Sequence, residues 1–247
     1  MSKIILITGA NGGIGTKLCQ KFYQSNWVVI GTDISSDCQH SFYHYYLSLN
    51  LTDPLKSIEL INFIQKTYNK LDCIIHNAAI QVCKPIWKME LTEWDDIYNC
   101  NLRIIFLLVK YGIELLKESQ GSIINIASVH SVVTSNNIAA YASSKAAIVG
   151  LTKNLAIELG TLGIRVNSIS PGAIETDMLK AGLARGHHGE GDINLALEKM
   201  NQSHLLGKIG QPMEVAELAY FMTTQGSYIT GANYLIDGGA SIKLSTE

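Results

Sequence analysis

The sequence predicts a doubly wound α/β fold, one parallel sheet with helices on both faces, and three observations carry that reading. Short runs rich in Ile and Val recur along the chain without a polar alternate face, as strands covered on both sides require. Longer amphipathic stretches of helical period separate them, giving the β-α-β-α order of a parallel sheet. The 247 residues, 47% hydrophobic and 16% charged, are enough for one large core and fall near the length of a single domain.

The elements follow in order. Lys3–Thr8 is the first expected strand, and the Gly-rich stretch after it opens a helical pattern over Ile14–Ser25. Trp27–Thr32 is the second strand. A helix over Leu55–Tyr68 leads to the third, Leu71–His76. One long helical pattern, Trp94–Lys117, precedes the strand Ser122–Ala127, and a second, Ala140–Leu159, precedes Arg165–Ser170. Met213–Thr223 is the last helix and Asn233–Ile236 the last strand. In such a sheet the crossovers are right-handed and ligands bind at the carboxyl ends of the strands. The stretch from Asp177 to Gly207 breaks the rhythm. It holds Gly182, Gly186, Gly189 and Gly191 and only a weak helical pattern at Ile193, Leu197 and Met200, so it is expected to be a lid within a single domain spanning 1–247.

Composition excludes several classes. A net charge of −2 leaves no basic excess to neutralise phosphates, so no nucleic-acid partner is expected. High hydrophobicity with low net charge excludes bulk disorder. Mean hydropathy is +0.15, yet no apolar stretch approaches the ~18 residues of a spanning helix, and no membrane association is expected. The run after Met1-Ser2-Lys3 is too short for a signal-peptide core. Five cysteines (Cys19, Cys38, Cys73, Cys83, Cys100) are odd in number and form no C-x-x-C pair, which fits reduced thiols and a cytoplasmic address.

The first strand runs into Thr8-Gly9-Ala10-Asn11-Gly12-Gly13-Ile14-Gly15 and then into a helix. Glycines let the backbone turn sharply and approach a pyrophosphate, and the helix start offers free N–H groups and a positive dipole end. Gly9, Asn11, Gly13, Ile14 and Gly15 are therefore candidate dinucleotide contacts of a Rossmann-like domain. The second strand ends at Asp33, with Ile34 beside it, where a carboxylate accepts hydrogen bonds from the adenosine ribose and repels a 2′-phosphate. No Lys or Arg lies in the glycine turn or in residues 27–36, so NAD is favoured over NADP.

Tyr141 and Lys145 are spaced i, i+4 and share one helix face. With eleven tyrosines in the chain this spacing alone carries no weight. Its company does: Ser128 ends a buried strand, Asn101 lies in a long helical pattern, and the glycine turn precedes both. Together these residues resemble the short-chain dehydrogenase/reductase family over essentially the whole chain. The resemblance implies that Asn101, Ser128, Tyr141 and Lys145 are catalytic. It implies that His76-Asn77-Ala78-Ala79 stands where the family has a bracing Asn-Asn-Ala-Gly, so that Asn77, Ala78 and Ala79 border the cofactor. Pro171-Gly172-Ala173-Ile174-Glu175-Thr176 resembles the Pro-Gly turn beside the nicotinamide, making Pro171, Gly172, Ile174 and Thr176 cofactor contacts. Tyr228-Ile229-Thr230-Gly231 and Asp237-Gly238-Gly239 resemble the family's closing segment. Tyr141 and Lys145 would also touch the cofactor, with Lys145 on the nicotinamide ribose and Asn101 anchoring a water that links Lys145 to solvent. The family's habit further implies a homo-oligomer, a tetramer built on the helices near 94–117 and 140–159.

Some positions depart from the family pattern. Asn50, followed by Leu51, replaces an acidic residue that bonds adenine, and its amide oxygen is expected to accept that bond instead. His76 and Ala79 replace Asn and Gly, and His76 reads as a satisfied core histidine. His130 is a candidate substrate contact beside Ser128 and Tyr141, as is Met178 at the start of the lid. Adjacent His187 and His188 do not form a metal-ligand spacing, and no metal is expected. The chemistry implied is reversible hydride transfer between nicotinamide and a secondary alcohol or ketone. Tyr141 serves as acid/base with its phenol lowered by Lys145 and the cofactor, and Ser128 holds the substrate oxygen. The rival enzyme is a 3-oxoacyl carrier-protein reductase, and the non-enzymatic rival is an NAD-sensing or scaffold protein.

Overall fold

A computed structural model describes residues 2–38, 40–184 and 193–242. Its elements are β1 (Ile4–Thr8), α1 (Gly13–Gln24), β2 (Val28–Asp33), β3 (Tyr45–Ser48), α2 (Pro54–Tyr68), β4 (Cys73–His76), α3 (Leu91–Tyr98), α4 (Ile104–Ser119), β5 (Ser122–Ile126), α5 (Ala139–Gly160), β6 (Arg165–Pro171), α6 (Asp177–Ala184), α7 (Ile193–Ser203), α8 (Pro212–Thr224) and β7 (Asn233–Ile236). The strands form one seven-stranded sheet in the order β3-β2-β1-β4-β5-β6-β7. Every pairing is parallel.

Alternate residues of β1 show why the strands read as continuous apolar runs. Ile4 and Leu6 join one buried cluster with Leu60, Ile61 and Ile64 of α2 and Ile105 and Leu108 of α4. Ile5 and Ile7 join the opposite cluster with Leu18, Cys19 and Phe22 of α1 and Val215, Ala216 and Ala219 of α8. Each face is covered, so neither needs a polar alternate. Helix ends follow local chemistry. The Asp53 carboxylate accepts from Leu55 N at 2.9 Å ahead of Pro54 at the start of α2. Gln211 and Glu214 form a capping box on α8, with Pro212 in its first turn.

The structure differs from the sequence reading in three places. β3 has no counterpart there, because this edge strand pairs only with β2 and its half-exposed Tyr-Tyr-Leu-Ser lacks an apolar run. The helix expected over Trp94–Lys117 starts earlier, at Leu91, where Glu90 and Glu93 form a capping box. It is also interrupted by a π-helical turn at Asn99–Arg103. Finally, the glycine-bearing stretch from Asp177 contains two helices, α6 and α7, the second taking up Ile193, Leu197 and Met200. Gly186, Gly189, Gly191, His187 and His188 lie outside the described residues. All five cysteines are free thiols. No described helix is long and apolar enough to cross a membrane.

Candidate active site

Sheet order reverses direction between β1 and β4, and strands β1 and β2 on one side and β4, β5 and β6 on the other feed a cavity at their carboxyl ends. The cavity has a volume of about 690 Å³. Its floor is the glycine turn. Gly9 has φ +62°, and a Cβ there would lie 2.7 Å from Ala78 Cα. A Cβ on Gly15 would lie 2.0 Å from Gly9 O, and one on Gly13 would lie 2.8 Å from Thr176 Cγ2. At all three positions only glycine fits so close to its neighbours. Asn77 braces the turn, its Nδ2 donating to Thr8 O at 3.2 Å and Gly9 O at 2.9 Å. A cradle that side chains would fill, beside a helix N-terminus, fits a dinucleotide pyrophosphate.

At the β2 end the Asp33 carboxylate is fixed by Asn11 N at 3.1 Å and Ile34 N at 2.8 Å. Asn11 is locked by the segment after β2: it donates to Asp37 O and Tyr46 Oη and accepts from Tyr43 Oη, each at 2.8 Å. The Asn50 reading changes in detail. Its Oδ1 accepts from Thr52 N at 3.2 Å and Thr52 Oγ1 at 2.8 Å, so both lone pairs are engaged and Nδ2 is the group left to meet a ligand.

Just after β5 and on α5 the structure brings Ser128, Tyr141 and Lys145 to one wall of the cavity. The Lys145 side chain is 2% exposed. Its Nζ donates to Ile126 O at 2.8 Å and sits 5.6 Å from the Tyr141 ring centroid. Burial pushes the Lys145 ammonium down to about 8, with Cys100 pulling the other way. Burial also raises the Tyr141 phenol, against a hydrogen bond with Ser128 that lowers it. Lys145 alone therefore does not produce the lowered phenol that the sequence suggests. His130 lies edge-on to Tyr141, with centroids 6.2 Å apart, and its backbone N donates to Ser128 Oγ at 3.2 Å.

Asn101 and Gly15 do not reach the cavity wall. Asn101 is fully buried in the π-helical turn. Its Oδ1 accepts from Ile80 N at 2.9 Å, and its Nδ2 donates to Ile80 O at 3.1 Å and Ser144 Oγ at 3.0 Å. Ser144 in turn donates to Tyr141 O at 2.7 Å, so Asn101 ties α5 to the strand-loop after β4. His76 completes the tie. The Thr8 hydroxyl accepts from Asn77 N at 3.1 Å and Ala78 N at 3.0 Å, so its own proton goes to His76 Nδ1 at 3.2 Å. The ring then carries its proton on Nε2 and donates it to Asn101 O at 3.1 Å. Burial and the neighbouring Lys145 push this imidazole down to about 3, which keeps it neutral.

The remaining expected contacts, Ile14, Ile34, Leu51, Ala78, Ala79, Pro171, Gly172, Ile174, Thr176 and Met178, all line the cavity. Sequence reasoning did not single out Ile80, Cys100, Ser135, Ser203 and His204, which also line the cavity. Ile80 lies in a loop, and Cys100 in a π-helical turn inside a stretch read as one regular helix. Ser203 and His204 lie inside the stretch read as a lid, but no motif singles them out.

This site, on this sheet, defines a nucleotide-dependent oxidoreductase of the short-chain type. A family model described as Enoyl-(Acyl carrier protein) reductase matches residues 9–241. The chain is 31% identical to 3-oxoacyl-(acyl-carrier-protein) reductase FabG of Vibrio cholerae over 246 residues, 96% of each chain. Among solved structures it is similar to the ligand-free aldohexose dehydrogenase of Thermoplasma acidophilum, with TM-score 0.92, 31% identity, and coverage of 99% of this chain and 96% of that one. It is also similar to ElxO with NADP bound, with TM-score 0.87, 27% identity, and coverage of 98% and 100%. The chain belongs to the short-chain dehydrogenase/reductase family, and it is an oxidoreductase acting on CH–OH donors with a nicotinamide cofactor.

The buried Lys145 has a consequence for stability. Between about pH 8 and its ordinary 10.5, the unfolded chain keeps a proton that the folded chain has released. Raising pH through that window therefore favours the fold, and below it the buried ammonium costs stability. Lys145→Met is expected to be more stable than the wild type at pH 7, by on the order of 1–3 kcal/mol, with the gap closing towards pH 10.5. Urea denaturation of both proteins across this range measures it, and a variant less stable at pH 7 would contradict the account.

Proposed function

We propose that this chain is an NAD-dependent dehydrogenase that interconverts a secondary alcohol and its ketone. The observation carrying the proposal is the convergence of Ser128, Tyr141 and Lys145 on one wall of the cavity that the glycine turn floors. When bound, the nicotinamide supplies the hydride acceptor or donor. The glycine turn with Asn11 and Ile14, Asp33 with Ile34, and Asn50 with Leu51 hold its nucleotide part. Asn77, Ala78 and Ala79, together with Pro171, Gly172, Ile174 and Thr176, hold the rest. Ser128 and His130 receive the substrate oxygen, and the Tyr141 hydroxyl exchanges its proton. Lys145 would steady both the ribose and the phenolate, and the positive charge of a bound oxidised nicotinamide would supply the part of the phenol's activation that Lys145 alone does not. Asn101, with its side chain spent on Ile80 and Ser144, positions α5 rather than touching substrate.

NAD is favoured because the Asp33 carboxylate lines the nucleotide end, and Lys145 is the only Lys or Arg among the described residues lining the cavity. The same feature weighs against the carrier-protein reductase reading, to which the Vibrio cholerae relative's name points, since an acidic carrier and NADPH both call for cations. The aldohexose dehydrogenase relative supports an alcohol substrate. A homotetramer through α4 and α5 is supported by apolar residues left exposed there, Phe106 at 54% and Ile157 at 76%. Reduced cysteines support a cytoplasmic address. We read α6 and α7 as the substrate lid, supported by Met178, Leu179 and Leu183 of α6 lining the cavity; residues 185–192 of the stretch expected to be the lid lie outside the described residues.

Tyr141→Phe removes one hydroxyl and little volume, so NAD binding is expected to persist while turnover of an alcohol panel, read as NADH absorbance, falls at least ~10²-fold. Near-normal turnover would exclude the mechanism. Asp33→Ser is expected to narrow the NAD-over-NADP ratio of kcat/KM by about 5- to 150-fold, the range of a 1–3 kcal/mol charge conflict. Wild-type preference for NADP at fixed ionic strength would reverse the assignment. Leu183→Ala, which opens a 6%-exposed packing position on α6, is expected to raise substrate KM several-fold with NAD affinity unchanged. Unchanged substrate kinetics would remove the lid role.

A further inference from the structure

The segment between β2 and β3 sets a cluster of aromatic rings against the glycine turn. Tyr43 packs on β2 where Gly31 leaves room: a Cβ at Gly31 would lie 2.4 Å from the Tyr43 ring. Its ring centroid is 5.2 Å from that of Tyr46 and 4.1 Å from that of His40. Proton counting gives the hydrogen bonds of this cluster one direction. Phe42 N donates to His40 Nδ1 at 3.2 Å, so that nitrogen is bare and the ring carries its proton on Nε2. Burial lowers this imidazole from its usual value, with Lys17 adding to the effect, in keeping with a neutral ring. His40 Nε2 donates to Tyr43 Oη at 2.6 Å, with Ala10 O at 3.3 Å as a second acceptor. Tyr43 then has its own proton for Asn11 Oδ1. On the other side Tyr46 gives its proton to Ser35 O and so receives one from Asn11 Nδ2. The second Nδ2 proton goes to Asp37 O. Both N–H groups of the Asn11 amide are thereby spent, and the orientation of the amide is fixed.

The consequence falls on Asp33. Its Oδ1 accepts from Ile34 N at 2.8 Å and Ser35 N at 3.4 Å, and its Oδ2 accepts from Asn11 N at 3.1 Å. A carboxylate oxygen has two acceptor sites, so Oδ2 retains one, and the Asn11 backbone sets its direction. Asn11 and Asp33 line the cavity, whereas Tyr43, Tyr46 and His40 stand behind them.

We propose that Tyr43, Tyr46 and His40 are positioning residues for the nucleotide: they lock Asn11 so that its backbone N–H aims Asp33 at an adenosine ribose and its amide keeps no N–H for a 2′-phosphate. The inference rests on the NAD reading above and deepens it, assigning cofactor choice to a clamp behind the cavity wall as well as to one carboxylate.

Tyr43→Phe and Tyr46→Phe each remove one hydroxyl and little volume, and calorimetric titration with NADH and with NADPH, without substrate, reads their effect on binding. Each variant is expected to weaken NADH about three- to tenfold, the range of one lost hydrogen bond, and to leave NADPH no weaker. The NADH-over-NADPH affinity ratio then falls by that factor, because Asp33 is less firmly aimed and, in Tyr46→Phe, an Asn11 N–H is released for the phosphate. In turnover the change should fall on the KM for NAD, with kcat within about twofold of the wild type. His40→Gln, which keeps an N–H donor near the Nε2 position, is expected to hold the wild-type ratio, and His40→Leu to lower it. Equal weakening of both cofactors in folded Tyr43→Phe and Tyr46→Phe would mean that the cluster only packs the loop, and would overturn the inference. So would an unchanged ratio in both variants, or His40→Gln and His40→Leu behaving alike. Tighter binding of NADPH than of NADH by the wild type would instead strike the NAD reading, while the change in ratio between wild type and variants would still decide the role of the clamp.

Discussion

The site depends on how the sheet is held where it divides. Strands β1 and β4 are neighbours in space but lead their chains away in opposite directions, and the crevice between them is where a ligand can reach the backbone. Such a crevice exposes polar backbone groups that must be satisfied from within. Thr8 does this with one hydroxyl, which accepts two backbone N–H groups and donates to His76. Asn77 completes the closure by donating to the carbonyls of Thr8 and Gly9. With these groups paired, the glycine turn keeps the positive φ at Gly9 and the close approach to Ala78 that form the floor of the cavity.

From that clamp, order passes to the reacting wall by hydrogen bonds alone. His76 carries it to the carbonyl of Asn101, and the Asn101 side chain carries it to Ser144 and so to the backbone of Tyr141. The π-helical turn at Asn99–Arg103 makes this possible, because the extra residue in the turn turns Asn101 inward from a helix that otherwise packs against α2. His76 in place of an asparagine keeps this relay neutral. Its tautomer is dictated by Thr8, and its burial beside Lys145 removes any tendency to charge.

Lys145 shows the opposite choice. An ammonium 2% exposed, donating to the backbone carbonyl of Ile126, works against the fold. Its retention is intelligible only if its positive charge or its donors serve a ligand. The same burial that depresses Lys145 raises Tyr141, so the two groups are brought towards each other in proton affinity without either being fully activated by the polypeptide.

The sequence by itself determined the parallel sheet, the glycine cradle and the acidic end of β2, and its family resemblance pointed to Ser128, Tyr141 and Lys145. These signals are local: strands buried on both faces need unbroken apolar runs, and a turn that packs backbone against backbone needs glycine. What only the tertiary structure decided is non-local. β3 is a strand because β2 offers it an edge, not because its own residues demand one. The Asn101 side chain is bonded to Ile80 and Ser144, which reach it from distant parts of the chain. The oxygen of Asn50 is claimed by Thr52, a contact two residues away that spacing alone does not announce. His204 lines the cavity because α7 packs beside α6 and its end meets the turn after β7. A side chain's type is written in the sequence; the partner that consumes or spares its hydrogen bonds is chosen by packing.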